Sequence, residues 1–321
     1  GVAVDKFFFL GNPYPSPIDV EKLWDANPDV LGPLYFWIHA LLPQKAPGDN
    51  TARYSSNDYI ICTASGSTDI NGGTAPKSFG GFIAAGQGFF AKPKTTVIHF
   101  NNDMREGATE NTNFFKTAKS SSIERNRIWL NIKNTEGAFK QILVGYIQGA
   151  TNSVDFNYDA ATLGANSFID FYSINETKKL TIQGRALPFD DTDVVPLGYK
   201  STIDSDFTIA IDHADGFFDK QEVYLEDKTT GKIINLRNEN YTFSTLAGTF
   251  ADRFVLRYTN KTLGTGDFEN IEDSYNYCTG SSKKVIMVCP NCGNKKLKQI
   301  NIFFKNNYLD CVCRDNISFG E

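Results

Sequence analysis

Residues 127–149, RIWLNIKNTEGAFKQILVGYIQG, carry the pattern that decides the fold class. Ile128, Leu130 and Ile132 alternate with polar neighbours, which is the period of a β-strand with one buried face. The segment Thr135-Glu136-Gly137 follows as a turn, and a second apolar run begins directly after it. Two such runs joined by a short glycine-bearing turn predict a β-hairpin.

Strand character continues on both sides of this hairpin, and helical periodicity is confined to residues 18–27. In that short helix Ser16 and Asp19 are the candidate N-caps, and Pro28 is the stop signal. Thr230-Gly231 predicts a tight turn between two of the strands. We therefore predict an all-β protein with two consecutive antiparallel β-sandwich domains of the jelly-roll or immunoglobulin-like kind. The further strand segments are SFIDFYSI (167–174), KKLTIQGRAL (178–187), DFTIAID (206–212), EVYLED (222–227) and RFVLRYT (253–259).

A rigid corner interrupts the N-terminal strand character, in the stretch FLGNPYPSPID at 9–19. Pro13, Pro15 and Pro17 each fix φ near −65° and remove a backbone donor. They also push the residues before them toward extended conformations. We interpret this corner as structural rather than catalytic.

Composition shifts along the chain predict its domain organisation. The expected first domain, 1–118, is rich in glycine and aromatic residues, and the second sandwich covers 119–262. Residues 263–275 are an acidic, glycine-bearing linker. Residues 276–321 form a cysteine-rich tail of uncertain origin.

Overall composition excludes some classes of partner. The 321 residues include 26 Phe and 14 Tyr, which favours pleated sheets. A net charge of −5 argues against nucleic acid, because phosphate binding requires a basic surface. No apolar run is long enough to span a membrane. The chain begins directly in strand-like sequence, so we expect a mature or excised fragment.

The cysteines of the tail predict either a metal site or disulfides. CPNCG places Cys289 and Cys292 on a knuckle typical of zinc ribbons, and CVC adds Cys311 and Cys313. Zinc, disulfides or free thiols in an oxidising compartment, and a tail foreign to the protein all remain open.

Calcium is the second metal that the sequence suggests. Asp155, Asn157 and Asp159 occupy positions 1, 3 and 5 of an EF-type loop, and Asp215 and Glu222 occupy positions 5 and 12 of another. Neither loop is complete. The alternative is a set of solvated turns in which these side chains bond their own backbone. Asp190, Asp191 and Asp193 form a further carboxylate group.

Support for catalysis is scarce. His39, His99 and His213 are the only histidines, and no G-x-S-x-G elbow is present. Cys62 lies in the strand-like run YIICTAS, where a buried apolar role is the usual one. GQGFFAK at 86–92 resembles a phosphate loop but continues as a strand, so Phe89 and Phe90 are expected in packing.

Exposed aromatic rings offer a binding function instead. Trp24, Tyr35, Trp37 and Tyr54 could stack on sugar rings, although a core role is the ordinary one for any single aromatic residue.

Several motifs resemble large secreted surface proteins of the Bacteroidota, flavobacteria especially. In the first domain these are GNPYPS (11–16), LYFWIH (34–39), GFIAAGQGFF (81–90) and FNNDMR (100–105). In the second they are 127–152, FIDFYSI (168–174), 180–201 and 241–265, which are similar to the region before the C-terminal sorting domain. The resemblance covers roughly residues 5–268 and ends before the tail.

The resemblance implies a protein that the type IX secretion system exports, with that machinery and outer-membrane components as partners. The expected location is extracellular, secreted or on the cell surface, and the expected role is non-enzymatic: an adhesin-like or stalk module. Glycans or host and cell-surface ligands are the other expected partners. The alternative is a carbohydrate-binding module of a secreted polysaccharide-degrading enzyme. The resemblance supplies no catalytic residues.

Overall fold

The computed structural model describes residues 6–28, 30–38, 43, 45, 50–52, 54, 58–68, 79–107, 109–110, 123–164 and 166–260, and the backbone of 302–305 and 308–311. The chain divides into two compact units, Gly1–Asn260 and Lys261–Glu321. Nearly all regular structure in the described residues is β, which confirms the predicted fold class. Within the first unit we call the described residues up to 110 the N-terminal part and 123–260 the C-terminal part.

A five-stranded sheet organises the N-terminal part, with the strand order β1-β7-β3-β4-β5. A two-stranded sheet of β2 and β6 lies beside it. The strands are β1 (Phe8–Gly11), β2 (Ile18–Asp19), β3 (Leu34–Trp37), β4 (Tyr59–Thr63), β5 (Gly66–Ser67), β6 (Phe82–Ile83) and β7 (Gly88–Ala91).

One face of the five-stranded sheet packs on a core with the only α-helix of the described residues, α1 (Val20–Asp25). Leu34, Phe36, Ile60 and Phe89 enter this core from the sheet, and Leu23 enters it from the helix. The strand period of two leaves alternate residues to the opposite face.

A helix is present where the sequence predicts one, but it is shorter than the predicted range of 18–27. Asp19 caps it, since its carboxylate accepts the backbone N–H groups of Glu21 at 2.8 Å and Lys22 at 3.3 Å. Ser16 has a different role, because its hydroxyl accepts from Arg105. Helical structure ends at Asp25, three residues before Pro28.

The proline corner is structural, and Asn12 is its centre. The Asn12 amide is 5% exposed and donates to the carbonyls of Ser16, Ile83 and Ala84. Its oxygen accepts the backbone N–H of Tyr14 at 2.9 Å. The side chain therefore ties the corner to the β6 region, 71 residues further along the chain.

The C-terminal part is one continuous sheet path around one core. Its order is β16-β15-β18-β13-β11-β12-β9-β8-β14-β17, and β10 pairs with β12. The strands are β8 (Arg125–Lys133), β9 (Phe139–Ile147), β10 (Ala160–Ala161), β11 (Ile169–Asn175), β12 (Lys178–Arg185), β13 (Val194–Ser201), β14 (Ser205–Asp215), β15 (Tyr224–Asp227), β16 (Lys232–Asn235), β17 (Tyr241–Thr245) and β18 (Gly248–Arg257).

Residues from both halves of this path meet in the same core. β8 and β9 contribute Ile128 and Val144, while β11, β13 and β18 contribute Phe171, Leu197 and Phe254. Because strands from both halves of the path enclose one set of apolar side chains, the sheet folds over itself as a sandwich does.

The predicted hairpin is confirmed. β8 and β9 pair antiparallel from Arg125↔Ile147 to Lys133↔Phe139. Asn134 and Gly137 close the turn, with Gly137 at φ 96°. The turn at Thr230-Gly231 between β15 and β16 is confirmed as well, with Gly231 at φ 69°.

One strand pair departs from the predicted antiparallel architecture. β12 pairs antiparallel with β11 through Ser173↔Leu180 to Asn175↔Lys178, but parallel with β9 through Ile182↔Leu143 to Arg185↔Tyr146. A parallel pair needs a long crossover connection. Here residues 148–177, which include β10 and β11, supply it.

A dense set of hydrogen bonds joins the two parts of the first unit at the Ala64–Ser65 turn. Ala64 N–H donates to the carbonyl of Asn157, and Ser65 Oγ donates to the carbonyl of Tyr158 at 2.8 Å. From the other side, Arg125 Nε donates to the carbonyl of Ala64 at 3.0 Å. We call these bonds, together with the apolar packing of Tyr35 and Ile61 against Trp129, Leu143 and Ile182, the joint. Residues 111–122 lie outside the described residues, so the predicted boundary at 118/119 stays a prediction.

In the second unit the described backbone is a two-stranded antiparallel sheet. β19 (Ile302–Lys305) pairs with β20 (Tyr308–Cys311), from Ile302↔Cys311 to Lys305↔Tyr308. The expected linker at 263–275 lies outside the described residues.

Candidate binding surface

The outward face of the five-stranded sheet carries a row of aromatic rings. Register places Phe9 opposite Phe90 and Trp37 opposite Tyr59, and side chains of directly opposed residues share a face. Their chain neighbours point the other way, into the core. The alternation of these strands therefore gathers aromatic residues on one surface.

We define the aromatic strip as Phe9, Phe90, Tyr59, Trp37 and Tyr54. Ring centroids along it lie 5.0 Å apart for Phe9 and Phe90, 6.3 Å for Phe90 and Tyr59, and 5.7 Å for Tyr59 and Trp37. Trp37 and Tyr54 follow at 5.0 Å. The rings thus form one connected group, in which Tyr59 lies on β4 and Trp37 on β3, the strand between β4 and β7.

Much of the strip is open to solvent. Phe9 is 62% exposed, Trp37 48% and Tyr54 43%, while Phe90 and Tyr59 are half-buried. Phe7, which is 49% exposed, lies beside the strip. Contiguous exposed apolar surface of this kind is typical of interaction sites. Partial burial raises the pKa of the Tyr59 hydroxyl.

The inner end of the same face is covered by the C-terminal part. Tyr35 and Ile61 pack there against Trp129, Leu143 and Ile182. Tyr35 is only 4% exposed, and burial raises the pKa of its hydroxyl to about 12. The interpretation of Tyr35 as a sugar-stacking ring is therefore wrong, because the joint closes over it.

Trp24 is a second correction. Its ring is half-buried against the core of the N-terminal part, and its Nε1–H donates to the carbonyl of Gly32 at 3.1 Å. Of the predicted rings, only Trp37 and Tyr54 belong to the strip. Sequence reasoning missed Phe9, Phe90 and Tyr59 as surface partners. Their strand alternation was the available signal.

Positive charge lies at one end of this face. Lys92 is exposed, and its Nζ lies 5.6 Å from the centroid of the Phe7 ring. A cation at this distance from an aromatic face is attracted by the ring quadrupole.

The first calcium candidate loop is held by its own hydrogen bonds. Asp155 accepts from the Thr151 hydroxyl at 3.0 Å, and Asp159 accepts the backbone N–H groups of Asp155 at 2.7 Å and Gly184 at 2.8 Å. The carbonyl of Asn157 accepts from Ala64. Burial raises the pKa of Asp159 to about 7, against the lowering effect of its two backbone donors.

Asp215 and Glu222, the second pair of calcium candidates, bind different side chains. Asp215 binds Arg127, with Nε to Oδ2 at 2.9 Å, while Glu222 accepts from the Asn235 amide. Across the described residues, no three His, Cys, Asp or Glu side chains gather as a metal group. The calcium sites stay predictions.

In the third cluster of carboxylates, Asp193 and Asp190 also accept hydrogen bonds from protein side chains. Asp193 accepts from Arg185 at 2.6 and 2.7 Å and from the Tyr146 hydroxyl at 2.7 Å. Asp190 accepts from Thr192, which lowers the pKa of its carboxyl group.

Cys62 and the described histidines, which were the candidates for catalysis, each have a different environment. Cys62 is buried, and burial raises the pKa of its thiol to about 12, so the thiolate is strongly disfavoured. His213 stacks on Trp129 with ring centroids 4.0 Å apart, and Nδ1 lies 2.7 Å from Asp212. His99 contacts Asn27 through its backbone. His39 lies outside the described residues.

The zinc candidates fall mostly outside the described residues, namely Cys289, Cys292 and Cys313. Cys311 ends β20, opposite Ile302. The choice between zinc and disulfides stays a prediction.

Comparison with known proteins gives a family. A family model described as "Domain of unknown function (DUF8693)" matches residues 2–258. The chain belongs to this family. The matched range includes the aromatic strip and the joint and stops before the second unit. No curated protein and no solved structure matches the chain. In the described part of the chain, every helix is too short or too polar to cross a bilayer.

Proposed function

We propose that this DUF8693 protein is a non-enzymatic module of a secreted, cell-surface protein, with an adhesin-like or presenting role. Type IX secretion is its proposed export route, on the strength of the sequence motifs that resemble exported surface proteins of the Bacteroidota. The proposed location is extracellular. The proposed partners are the type IX secretion machinery, outer-membrane components, and glycans or ligands on host and other cell surfaces.

The aromatic strip is the observation that carries this proposal. Three of its five rings are more than two-fifths exposed, whereas most of the aromatic residues that the structure describes are buried or half-buried. Exposing such rings costs solvation free energy that burial would recover, roughly 1.5–3 kcal/mol for a large apolar side chain. A contact surface explains why the outer rings are left uncovered.

A second candidate function is a carbohydrate-binding module of a multidomain polysaccharide-degrading enzyme. The specific observation in its favour is Trp37 beside Tyr54, with interplanar angle 64° and both rings exposed. Aromatic side chains with one apolar face and a polar edge suit ligands that are partly apolar and partly wet.

The test is retention of the purified chain on a panel of immobilised polysaccharides, extracellular matrix proteins and whole cells. We expect binding to at least one surface, and about a tenfold loss in the Trp37→Ala variant, which corresponds to about 1.4 kcal/mol. Leu246→Ala is the matched control, because Leu246 is 69% exposed but lies outside the strip. Equal retention of both variants, or none on any surface, contradicts the proposal.

Export is tested separately. Antibody labelling of intact cells that produce the protein should detect it outside the outer membrane, and loss of type IX secretion should abolish that signal. Labelling that persists in secretion-deficient cells argues against this route.

A further inference from the structure

β1 is an edge strand of the five-stranded sheet. Among the described strands it pairs with β7 alone, and it lies at the opposite end of the strand order from β5, which follows the Ala64–Ser65 turn of the joint. An edge strand presents backbone N–H and C=O groups that have no partner within the sheet. Proteins often protect such an edge with charge, and β16, an edge strand of the larger sheet, begins with the exposed Lys232. The residues of β1, Phe8–Gly11, carry no charge.

The ladder between β1 and β7 determines which backbone groups point to the free edge. Asn12 N–H donates to the carbonyl of Gln87 at 3.0 Å, in the register that β1 and β7 keep throughout. Bonded and non-bonded pairs alternate along an antiparallel ladder, so every second residue of β1 bonds to β7. Phe9 and Gly11 are the residues between, and their N–H and C=O groups therefore point away from β7.

The side chains along this edge form a pattern that is its own complement. Phe7 and Phe9 are 49% and 62% exposed, and Gly11 follows at the same spacing of two. The Phe9 ring covers Gly88 of β7, where an added Cβ atom would collide with it. At Gly11 an added Cβ atom would meet only the Gln87 carbonyl oxygen, 4.0 Å away, within the described residues. Gly11 therefore has room for an aromatic ring from another chain, and aromatic rings stabilise glycines at sheet edges in this way.

Two-fold symmetry brings these features together. When the β1 strands of two copies pair antiparallel about Phe9, each Phe9 lies opposite the other, and Phe7 of each copy lies opposite Gly11 of the second copy. The outward N–H and C=O groups then form the bonded pairs of the new ladder, and each Phe7 ring meets a glycine that no ring covers. The two Lys6 residues lie at opposite ends of this ladder, so like charges are not opposed.

We propose that β1 is a homotypic interface, at which a second copy of this chain adds its own β1 and joins the two five-stranded sheets into one. The contact is short, and interfaces of small area are weak, so the dimer is reversible. This inference goes beyond the proposed function and does not depend on it, because Trp37 lies on β3, two strands from the edge, and stays accessible in the dimer.

The test is sedimentation velocity of the full chain over a range of concentrations, with a reducing agent that prevents disulfide-linked dimers. We expect a monomer in dilute protein and a dimer fraction that grows with concentration. Phe9→Lys should weaken the dimer by about tenfold, because it removes a ring and places two like charges directly opposite each other. Trp37→Lys is the matched control. It adds the same charge at another exposed ring, on a strand inside the sheet, and should dimerise as the unaltered chain does.

Hydrogen exchange of the unaltered chain is a second measurement, which requires no substitution. The amides of Phe9 and Gly11 should exchange rapidly in dilute protein and slowly in the dimer, while the amide of Leu10 is protected in both. A dimer that Trp37→Lys abolishes and Phe9→Lys leaves intact overturns the inference in favour of contact between two strips. Protection of Phe9 and Gly11 in the monomer assigns the edge to another segment of the same chain and also overturns it, as does a monomer at every concentration.

Discussion

Asp159 is a buried carboxyl group at the point where the two parts of the first unit meet. It is 5% exposed, and its two oxygens accept backbone N–H groups from Asp155 and Gly184. Through these bonds it fixes the loop whose Asn157 and Tyr158 carbonyls receive the Ala64–Ser65 turn. Burial outweighs the two donors and raises its pKa from 3.8 to about 7.

This raised pKa predicts a pH-dependent stability. In the unfolded chain Asp159 ionises near its ordinary value, while in the folded chain it stays protonated to about pH 7. Its contribution is therefore fully present below about pH 4 and is lost as pH rises through about 7, by roughly 2–4 kcal/mol. Urea unfolding of the wild type and Asp159→Asn across this range measures it. The variant, which cannot ionise, should show a flatter curve.

Asp190→Asn is the control for this measurement, because Asp190 is exposed and its pKa is lowered rather than raised. It should leave the decline between about pH 4 and 7 in place. An unchanged decline in Asp159→Asn would instead assign that pH dependence to other groups.

The corner after β1 illustrates what a single side chain does for an element. Pro13, Pro15 and Pro17 redirect the chain, but their position against β6 depends on the Asn12 amide. The three carbonyls that it satisfies belong to the corner itself and to residues 83 and 84. Buried polar groups that lose such a partner cost more than exposed ones.

We predict that Asn12→Ala lowers the free energy of unfolding by about 1–3 kcal/mol, because it leaves buried carbonyls without their donor. Asn101→Ala is the matched control. Asn101 also caps a turn through its side chain, to Asp103 N–H at 3.0 Å, but in an exposed position. Chemical denaturation should show a clearly smaller loss for Asn101→Ala, and equal losses would contradict this role of Asn12.

Local sequence patterns predicted those elements whose structure depends mainly on residues that are close together in the chain. Alternation of Ile128, Leu130 and Ile132 indicated the hairpin, and the spacing of Asp19 from Pro28 indicated the helix. The parallel pairing of β9 and β12 was not predictable in this way. It depends on where the chain returns after a connection of about thirty residues, and periodicity is the same for parallel and antiparallel strands.

The candidate site was predictable in part for the same reason. Tyr35 and Trp37 are two residues apart on one strand face, so alternation treats them alike. Tyr35 is buried because it packs in one cluster with Trp129 and Leu143 and because the Phe7 ring lies 5.1 Å from it, whereas Trp37 stays exposed. Spacing alone makes Asp159 a candidate metal ligand, a prediction that stays open, and its hydrogen bond from Gly184 was not predictable because that residue lies 25 positions away.

At the scale of the whole first unit, the joint couples the two parts. Trp129 Nε1–H donates to the carbonyl of Ser67 at 2.8 Å, and Arg125 reaches both Ala64 and Glu21. Apolar contact accompanies these bonds, through Tyr35, Ile61 and Leu143. Interfaces with this combination of buried donors and apolar packing favour cooperative unfolding.

We predict a single calorimetric unfolding transition for residues 2–258, rather than the two expected of independent domains. Arg125→Ala should lower its midpoint by several degrees without splitting it, because about 1 kcal/mol corresponds to a few degrees in a domain of this size. Arg105→Ala, which removes an exposed contact to Ser16, should shift it less. Two resolved transitions in the unaltered chain would support independent domains.

The pairing of β12 with two different strands has a mechanical consequence. Its first residues are bonded to β11 and its last to β9, so one strand belongs to both halves of the sheet path. A tensile load passed from one half of the sheet path to the other must cross this strand, because β12 links the two halves in the strand order. The hydrogen-bonded path between the halves then breaks only when the antiparallel ladder to β11 or the parallel ladder to β9 is sheared.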